Sequence, residues 1–464
     1  MSADAADLTL VEILPLLERR LLSARELVVD CLRRIDLDEP AIRAFVTLTP
    51  ELALEAARRA DAARVAGAEV GPLAGVPVAM KDVFLTKDVL TTAGSQVLAN
   101  YIPAEDAAVW EPLSAAGAGL LGKTTTHEFA YGTASSPTAN PWDLRRTPGG
   151  SSGGSAAALA GRMVPIATGT DTGGSLRIPA AACGVCTLRS AQGRVSRYGA
   201  IPLSPTFDVA GPMARRMLDI SVVMQVVAGF DSRDPGSLNE PVPVYPTDAP
   251  ADLSGVRIGL PIDLLWKEVD ESIANVCHQA LRILVDRGAE LVEIESPLVE
   301  GDALDTLRRV FDTINETEAH QVHDALVPHQ HLYTPQVRER LLRGADISSE
   351  EYEEALQLRT RWALAWRRTM SVRRLRAIAH PTIDAPPPLI DATKPPRGPR
   401  IHSSVPWSVA GLPALSLPAG LDDRFLPVGL SLAGQPEHEA QLVGLGIAID
   451  EELQSWRQSP PVRT

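Results

Sequence analysis

Two stretches rich in glycine and serine flank an alanine-rich segment: Pro148-Gly149-Gly150-Ser151-Ser152-Gly153-Gly154-Ser155 and Gly169-Thr170-Asp171-Thr172-Gly173-Gly174-Ser175-Leu176-Arg177. Glycine adopts positive φ at little steric cost and lets another group approach the main chain closely. Several consecutive amides of such a loop can point at one anion. A hydroxyl nucleophile beside clustered N–H donors supplies the parts that acyl transfer needs.

The pattern around these loops predicts what carries them. The first 67 residues read as helices, with capping boxes at Thr9-x-x-Glu12 and Ser23-x-x-Glu26 and a third helix opened by Pro50 and stopped at Gly67. Beyond them strands and helices alternate. Val76–Met80, Ala118–Leu121, Val164–Thr168, Val256–Leu260, Leu291–Glu295, Arg376–Ala379 and Ala414–Leu417 read as strands, and Ala107–Ala116, Ala156–Ala160 and Asp270–Arg287 as helices. Such alternation predicts a sheet covered by helices on both faces. Asp231–Asp252 and Asp384–His402 read as loops, the second carrying Pro386, Pro387, Pro388, Pro395, Pro396 and Pro399. Between them, roughly residues 300 to 375 are helical, charged and arginine-rich. That composition suits a solvated helical face; a cap over a cleft is the second interpretation.

Several functions are excluded or demoted. A net charge of −14 argues against direct nucleic-acid binding, which needs basic surface. No apolar run reaches a membrane span, and Met1-Ser2-Ala3-Asp4 opens no signal peptide, so the cytoplasm is the expected compartment. Four cysteines in 464 residues are no disulfide framework, and Cys183-Gly184-Val185-Cys186, with alanines before it, reads as buried structural thiols. Gly117-x-x-x-x-Gly122-Lys123-Thr124 fits the phosphate-binding loop pattern. That loop must lie between a strand and a helix. Here a helix precedes it and the motif itself reads as strand, so nucleotide binding is not expected.

Ser175 is the candidate nucleophile, with the amides of Thr172, Gly173 and Gly174 as candidate oxyanion donors. A serine hydroxyl needs a base. None of the nine histidines lies in the two loops, and His127 is the nearest in sequence. Lys81, directly after an apolar strand, is the alternative, because burial disfavours a lysine's charge and lowers its pKa. A catalytic lysine must fall to roughly 7–8 to take a proton at neutral pH.

The chain resembles the amidase signature family. The resemblance rests on Gly75-Val76-Pro77-Val78-Ala79-Met80-Lys81-Asp82, Thr92-Ala93-Gly94-Ser95, Gly122-Lys123-Thr124 with Glu128-Phe129-Ala130, Asn140-Pro141-Trp142-Asp143, and the whole run Pro148 to Pro179. It continues through Gly193–Gly199 and Gly211–Arg215, then Ala410-Gly411-Leu412-Pro413-Ala414 and Pro427–Leu430, and is weakest from about 230 to 400. Thr125 and Thr187-Leu188-Arg189-Ser190 depart from the family's Asn and Gly-Leu-Lys-Pro.

The resemblance implies one α/β/α domain over residues 1–464 around a large mixed sheet, where length alone would suit about three domains. Within it lie an N-terminal helical segment (1–67), a core with the catalytic loops (68–230), a variable helix-rich and proline-rich region (231–400) and a C-terminal return (401–464). It implies an amidase that cleaves a carboxamide C–N bond through an acyl-enzyme. Lys81 is then the base, Ser151, after a cis peptide, the bridging serine, with Ser152 the adjacent alternative that the residues alone do not separate from it, and Ser175 the nucleophile, with Asp171 and Arg177 supporting the loop. No metal or organic cofactor is implied. The expected partner is a small-molecule amide, and a homodimer is compatible with the sequence. Tyr131 and Gly132 are candidate substrate contacts on the acyl side, and His380 a candidate contact beside the proline-rich loop.

Two activities fit the family: a free-standing amidase, or the glutaminase component of a tRNA-dependent amidotransferase. The latter subgroup usually carries an acidic residue before the final Ala-Gly-Leu-Pro. Here His402-Ser403-Ser404-Val405-Pro406-Trp407-Ser408 has none, which favours the free-standing amidase. An intact Lys81, Ser151 and Ser175 set argues against a catalytically dead binding protein.

Overall fold

The chain enters through helices whose ends are closed by side chains. α1 (Leu10–Glu18) and α2 (Ala24–Ile42) both open with capping boxes, in which Glu12 accepts the Thr9 N–H at 2.8 Å and Glu26 the Ser23 N–H at 2.8 Å. α3 (Pro50–Val65) starts on its proline, and Gly67 follows it at φ 69°. The computed structural model describes residues 4–297, 303–324, 329, 331–391, 394 and 398–461. Met1-Ser2-Ala3, Pro395 and Pro396 of the sequence expectations lie outside the described residues.

The helical expectation for the first 67 residues needs one correction. Phe45–Leu48 is a strand, β1, paired antiparallel with β3 (Gly119–Thr124). Four residues are too few to display a period, and this strand owes its conformation to its partner.

The remaining strands are β2 (Pro77–Lys81), β4 (Ile166–Asp171), β5 (Cys186–Arg189), β6 (Val209–Ala214), β7 (Arg257–Pro261), β8 (Glu290–Ile294), β9 (Leu375–Pro381), β10 (Ala414–Leu421) and β11 (Pro427–Ala433). Among the described residues these eleven form one sheet, in the order β1-β3-β2-β4-β6-β5-β10-β11-β9-β7-β8. β2 runs parallel to both β3 and β4, whereas β6, β5, β10 and β11 are joined by antiparallel ladders. The sheet is therefore mixed.

Helices cover it on both sides: α4 (Trp110–Ala115), α5 (Gly153–Ala160), α6 (Arg177–Cys183), α7 (Met217–Val227), α8 (Glu271–Asp286), α9 (Ala303–His323), α10 (Pro335–Asp346), α11 (Ser349–Val372), α12 (Val405–Ala410) and α13 (Glu439–Leu453). Neighbouring residues of one strand point to opposite faces. On β10, Leu415 meets α13 near Gly446, while Ser416 lies beside Gly429, which packs on Ala181 of α6.

Two sequence features resolve here. The phosphate-loop look-alike is β3 itself, and its Lys123 is buried, donating to Phe84 O at 2.8 Å and Thr91 Oγ1 at 2.6 Å. Cys183 and Cys186 are buried free thiols, pushed upward in pKa by burial.

The solvated-face expectation for residues 300 to 375 fails over α9. That helix buries Phe311, Ile314, Asn315, Glu316 and Glu318. Glu318 accepts from Ser204 Oγ at 2.5 Å and Tyr352 Oη at 2.9 Å, and Glu316 holds Arg343 at 2.7 Å. Paired or hydrogen-bonded charges can be buried where lone ones cannot, so charge content alone concealed a packed helix.

Candidate active site

β2 and β4 are parallel neighbours, so Lys81 at the end of one and Asp171 at the end of the other emerge on the same edge of the sheet. Each glycine-rich loop leads directly into a helix: Ser151-Ser152 into α5 and Ser175-Leu176 into α6. The Gly150–Ser151 peptide is cis, as the family resemblance implies.

Lys81 and Ser151 are brought together. Lys81 is fully buried, and its Nζ donates at 2.7 Å to Ser151 Oγ and at 2.7 Å to Thr170 Oγ1. Burial pushes the Lys81 ammonium down to about 7, against the opposing pull of Asp171 and Asp208. Ser175 meets the loop that carries Ser151 through its main chain, its carbonyl accepting from the Ser152 amide at 3.2 Å. Ser152 itself is turned away, donating from its hydroxyl to Thr170 O at 3.2 Å. That separates two serines the sequence left adjacent: the hydroxyl at the lysine belongs to Ser151.

Asp171 organises the loop that carries Ser175. Its carboxylate accepts from the Gly174 amide at 2.9 Å and the Leu176 amide at 3.3 Å, and from Arg177 at 2.9 and 3.0 Å. Burial alone would raise the Asp171 pKa; the Arg177 and Arg189 guanidiniums outweigh it and hold the carboxyl well below its ordinary range. Arg177 also donates to Ser404 O at 2.9 Å and Ser408 Oγ at 2.8 Å, tying the loop to α12. The expected Gly174 oxyanion donor is thus already committed to Asp171. The amides of Gly173 and Ser175 donate to no acceptor among the described residues. At Gly174, φ is 135°, and Gly173 lies so close to the Phe311 ring of α9 that an added Cβ would stand 2.6 Å from it.

The remaining candidates are placed as follows. Tyr131 is buried, with the Arg340 guanidinium 4.0 Å over its ring and no partner for its hydroxyl among the described residues. Gly132 backs onto the His127 ring. Burial lowers His127 to about 4, so its imidazole is neutral at pH 7. His380 is buried, its Nδ1 2.8 Å from Pro381 O and its Nε2 accepting from Trp407 Nε1 at 2.5 Å. With both ring nitrogens engaged inside the protein, His380 is a core residue rather than a contact at a cleft.

Three residues at this edge escaped the sequence. Thr170 is the second partner of Lys81; it lies inside the loop motif, but only the parallel pairing of β2 with β4 reveals its role. Arg189 donates to the Asp171 carboxylate at 3.2 Å and to Phe207 O at 2.9 Å. Its signal was present, as the position where the family carries Lys. Arg340 has no local signal.

With this geometry in view, similarity to known proteins is decisive. The family model described as "Amidase" matches residues 26–443. The chain belongs to the amidase family. As a member it is a hydrolase of amide C–N bonds. It is 38% identical over 477 residues to a glutamyl-tRNA(Gln) amidotransferase subunit of Chloroflexus aurantiacus, covering 95% of each chain. Among solved structures it is similar to the peptide amidase of Stenotrophomonas maltophilia (TM-score 0.85, 29% identity, 98% of this chain and 99% of that one). It is also similar to the corresponding glutamyl-tRNA(Gln) amidotransferase subunit of Thermotoga maritima (TM-score 0.80, 29% identity, 97% and 96%). Family members of both kinds thus share this fold over nearly its full length.

Proposed function

We propose that this chain is a free-standing amidase that hydrolyses a small carboxamide through Ser175, Ser151 and Lys81. The observation that carries the proposal is the buried Lys81 amine, 2.7 Å from both Ser151 Oγ and Thr170 Oγ1. Uncharged, that amine donates to Thr170 and accepts the Ser151 proton. Ser151 in turn takes the proton of Ser175 as its oxygen attacks the carbonyl carbon. The oxyanion rests on amides of the Thr172–Ser175 stretch that Asp171 leaves free, Gly173 and Ser175 foremost. Each such donor is worth roughly 2.7–4 kcal/mol in the transition state. The proton returns along the same relay to the leaving nitrogen, and water then cleaves the ester on Ser175. Asp171 and Arg177 hold the loop, and Tyr131 and Gly132 border the acyl side.

The second reading is the glutaminase component of a tRNA-dependent amidotransferase, favoured by the 38% identity to such proteins. Against it stands the segment from His402 to Ser408, which offers no carboxylate to hold glutamine's amino group. Ser404 there is already occupied, donating to Gly173 O at 2.6 Å. The experiment is an amide panel (glutamine, small aliphatic amides, anilides) with ammonia or amine release followed. Cleavage of several non-glutamine amides supports the free-standing enzyme; glutamine as the one good substrate overturns it in favour of the amidotransferase component.

A further inference from the structure

Thr170 has a second environment besides Lys81. It forms part of the wall of a cavity of about 220 Å³ bounded by the loop between β5 and β6. The interior surface is largely apolar, from Ala130, Ala200, Ile201, Leu203, Val209 and Ala210. At the rim the charges are matched: Arg197 pairs with Asp234 at 2.9 Å, and Arg233 pairs with Glu111 at 2.6 Å while lying 4.4 Å over the Tyr198 ring.

Asp208 stands apart. Its half-buried carboxylate lines the same cavity, accepting from Thr172 Oγ1 at 2.6 Å and from the Leu203 and Ser204 amides at 2.8 and 2.9 Å. Arg197, which acts on it electrostatically, makes its own ion pair with Asp234 at 2.9 Å. Taking a carboxylate out of bulk water is costly, and burial raises its pKa against the pull of Thr172, the Leu203 and Ser204 amides and Arg197.

The chemistry proposed above gives the cavity an occupant. As the Ser175 oxygen–carbon bond forms and the carbon–nitrogen bond breaks, the proton taken from Ser175 must be returned to the nitrogen through Ser151 and Lys81. The nitrogen therefore departs on the side of Ser175 where those two groups lie. Thr170, which accepts from Lys81, also lines the cavity. An apolar cavity of about 150 Å³ admits benzene, so this one has room for an aromatic ring or a branched alkyl group.

We propose that this cavity is the leaving-group pocket, shaped for the aryl or branched-alkyl amine of an N-substituted carboxamide, with Asp208 accepting an N–H of the departing amine. The proposal rests on the amidase reading above and narrows its substrate class from carboxamides in general to secondary amides.

The test separates the two. Binding of isobutylamine and of aniline to the full-length protein is measured by saturation-transfer NMR at pH 7.5, in wild type, Ala200→Leu, Ile201→Phe and Asp208→Asn. Thermal unfolding checks that each variant is folded, and the two cavity-filling variants are independent of each other. Both amines are expected to bind wild type and to be weakened at least tenfold by either filling substitution. Asp208→Asn is expected to weaken the cationic isobutylammonium at least fivefold more than neutral aniline. In parallel, the ratio of kcat/KM for butyranilide to that for butyramide is expected to fall at least tenfold in the filled variants. Failure of both amines to bind, or equal binding by folded filled variants, overturns the pocket even if the enzyme proves an active amidase. Amine binding as expected, without cleavage of any amide, supports the pocket and overturns the amidase reading instead.

Discussion

Arg189 of β5 reaches the end of β4 and donates to Asp171 twice, to its backbone carbonyl and, at 3.2 Å, to its carboxylate. With Arg177 on the other side, the one buried carboxylate that orders the Ser175 loop is clasped by two guanidiniums. Removing one partner of a buried ion pair leaves the other uncompensated, at a cost of about 3–5 kcal/mol. Because Arg177 still pairs with Asp171, Arg189→Met should lower stability by less than that in urea unfolding. Arg189→Lys, the residue type the family resemblance places there, should lower it distinctly less.

Lys81 is expected to make both activity and stability rise with pH, over different ranges. Its pKa is depressed from 10.5 to about 7 by burial, so below pH 7 the amine is charged and cannot accept a proton. The kcat/KM profile should fall toward acid with an inflection near 7. Between pH 7 and 10.5 the unfolded chain holds the proton that the folded chain lacks, so this group makes stability rise with pH across that window. Urea unfolding at pH 7 and 9.5 should show that rise in wild type and a smaller one in Lys81→Met, whose activity should fall roughly 10²–10⁴-fold.

Asp450 behaves oppositely. Burial raises its pKa to about 7, opposed by the Met217 amide and Arg216. The folded protein then binds more protons than the unfolded chain between pH 4 and 7, so this group makes stability fall as pH rises through that range. Asp450→Asn keeps an acceptor for the Met217 N–H, which Asp450 now takes at 2.9 Å. Its melting temperature relative to wild type should improve from pH 5 to pH 8.

His380 separates structure from catalysis. His380→Leu leaves the buried Trp407 indole N–H without its acceptor, at a cost of about 1–3 kcal/mol. The folded variant should retain wild-type KM for a cleaved amide, measured after correcting for the folded fraction.

Much of this was legible because the chemistry is concentrated in short, ordered segments. The glycine-rich loops, the apolar run ending at Lys81 and the capping boxes at Thr9 and Ser23 each declare themselves within a few residues. β6 did not, because its Gly211-Pro212 reads as a turn and only the ladders to β4 and β5 hold it extended. Nor did the partners that meet across the fold. Thr170 is 89 residues from Lys81, and Arg340 is 209 residues from Tyr131. Separations of that kind leave no periodic trace. The packed face of α9 was hidden for a different reason: its buried Glu316 and Glu318 look like surface charge until their arginine, serine and tyrosine partners are in place.

The central claim is that a buried, uncharged Lys81 activates Ser175 through Ser151. Its most direct test is covalent labelling by a small fluorophosphonate, with the labelled residue mapped by peptide mass spectrometry and the rate followed against pH in wild type and Lys81→Met. The account predicts label on Ser175, a rate that rises with pH through an inflection near 7, and loss of that inflection in the variant. Label on another residue, or an inflection that survives in Lys81→Met, would contradict it.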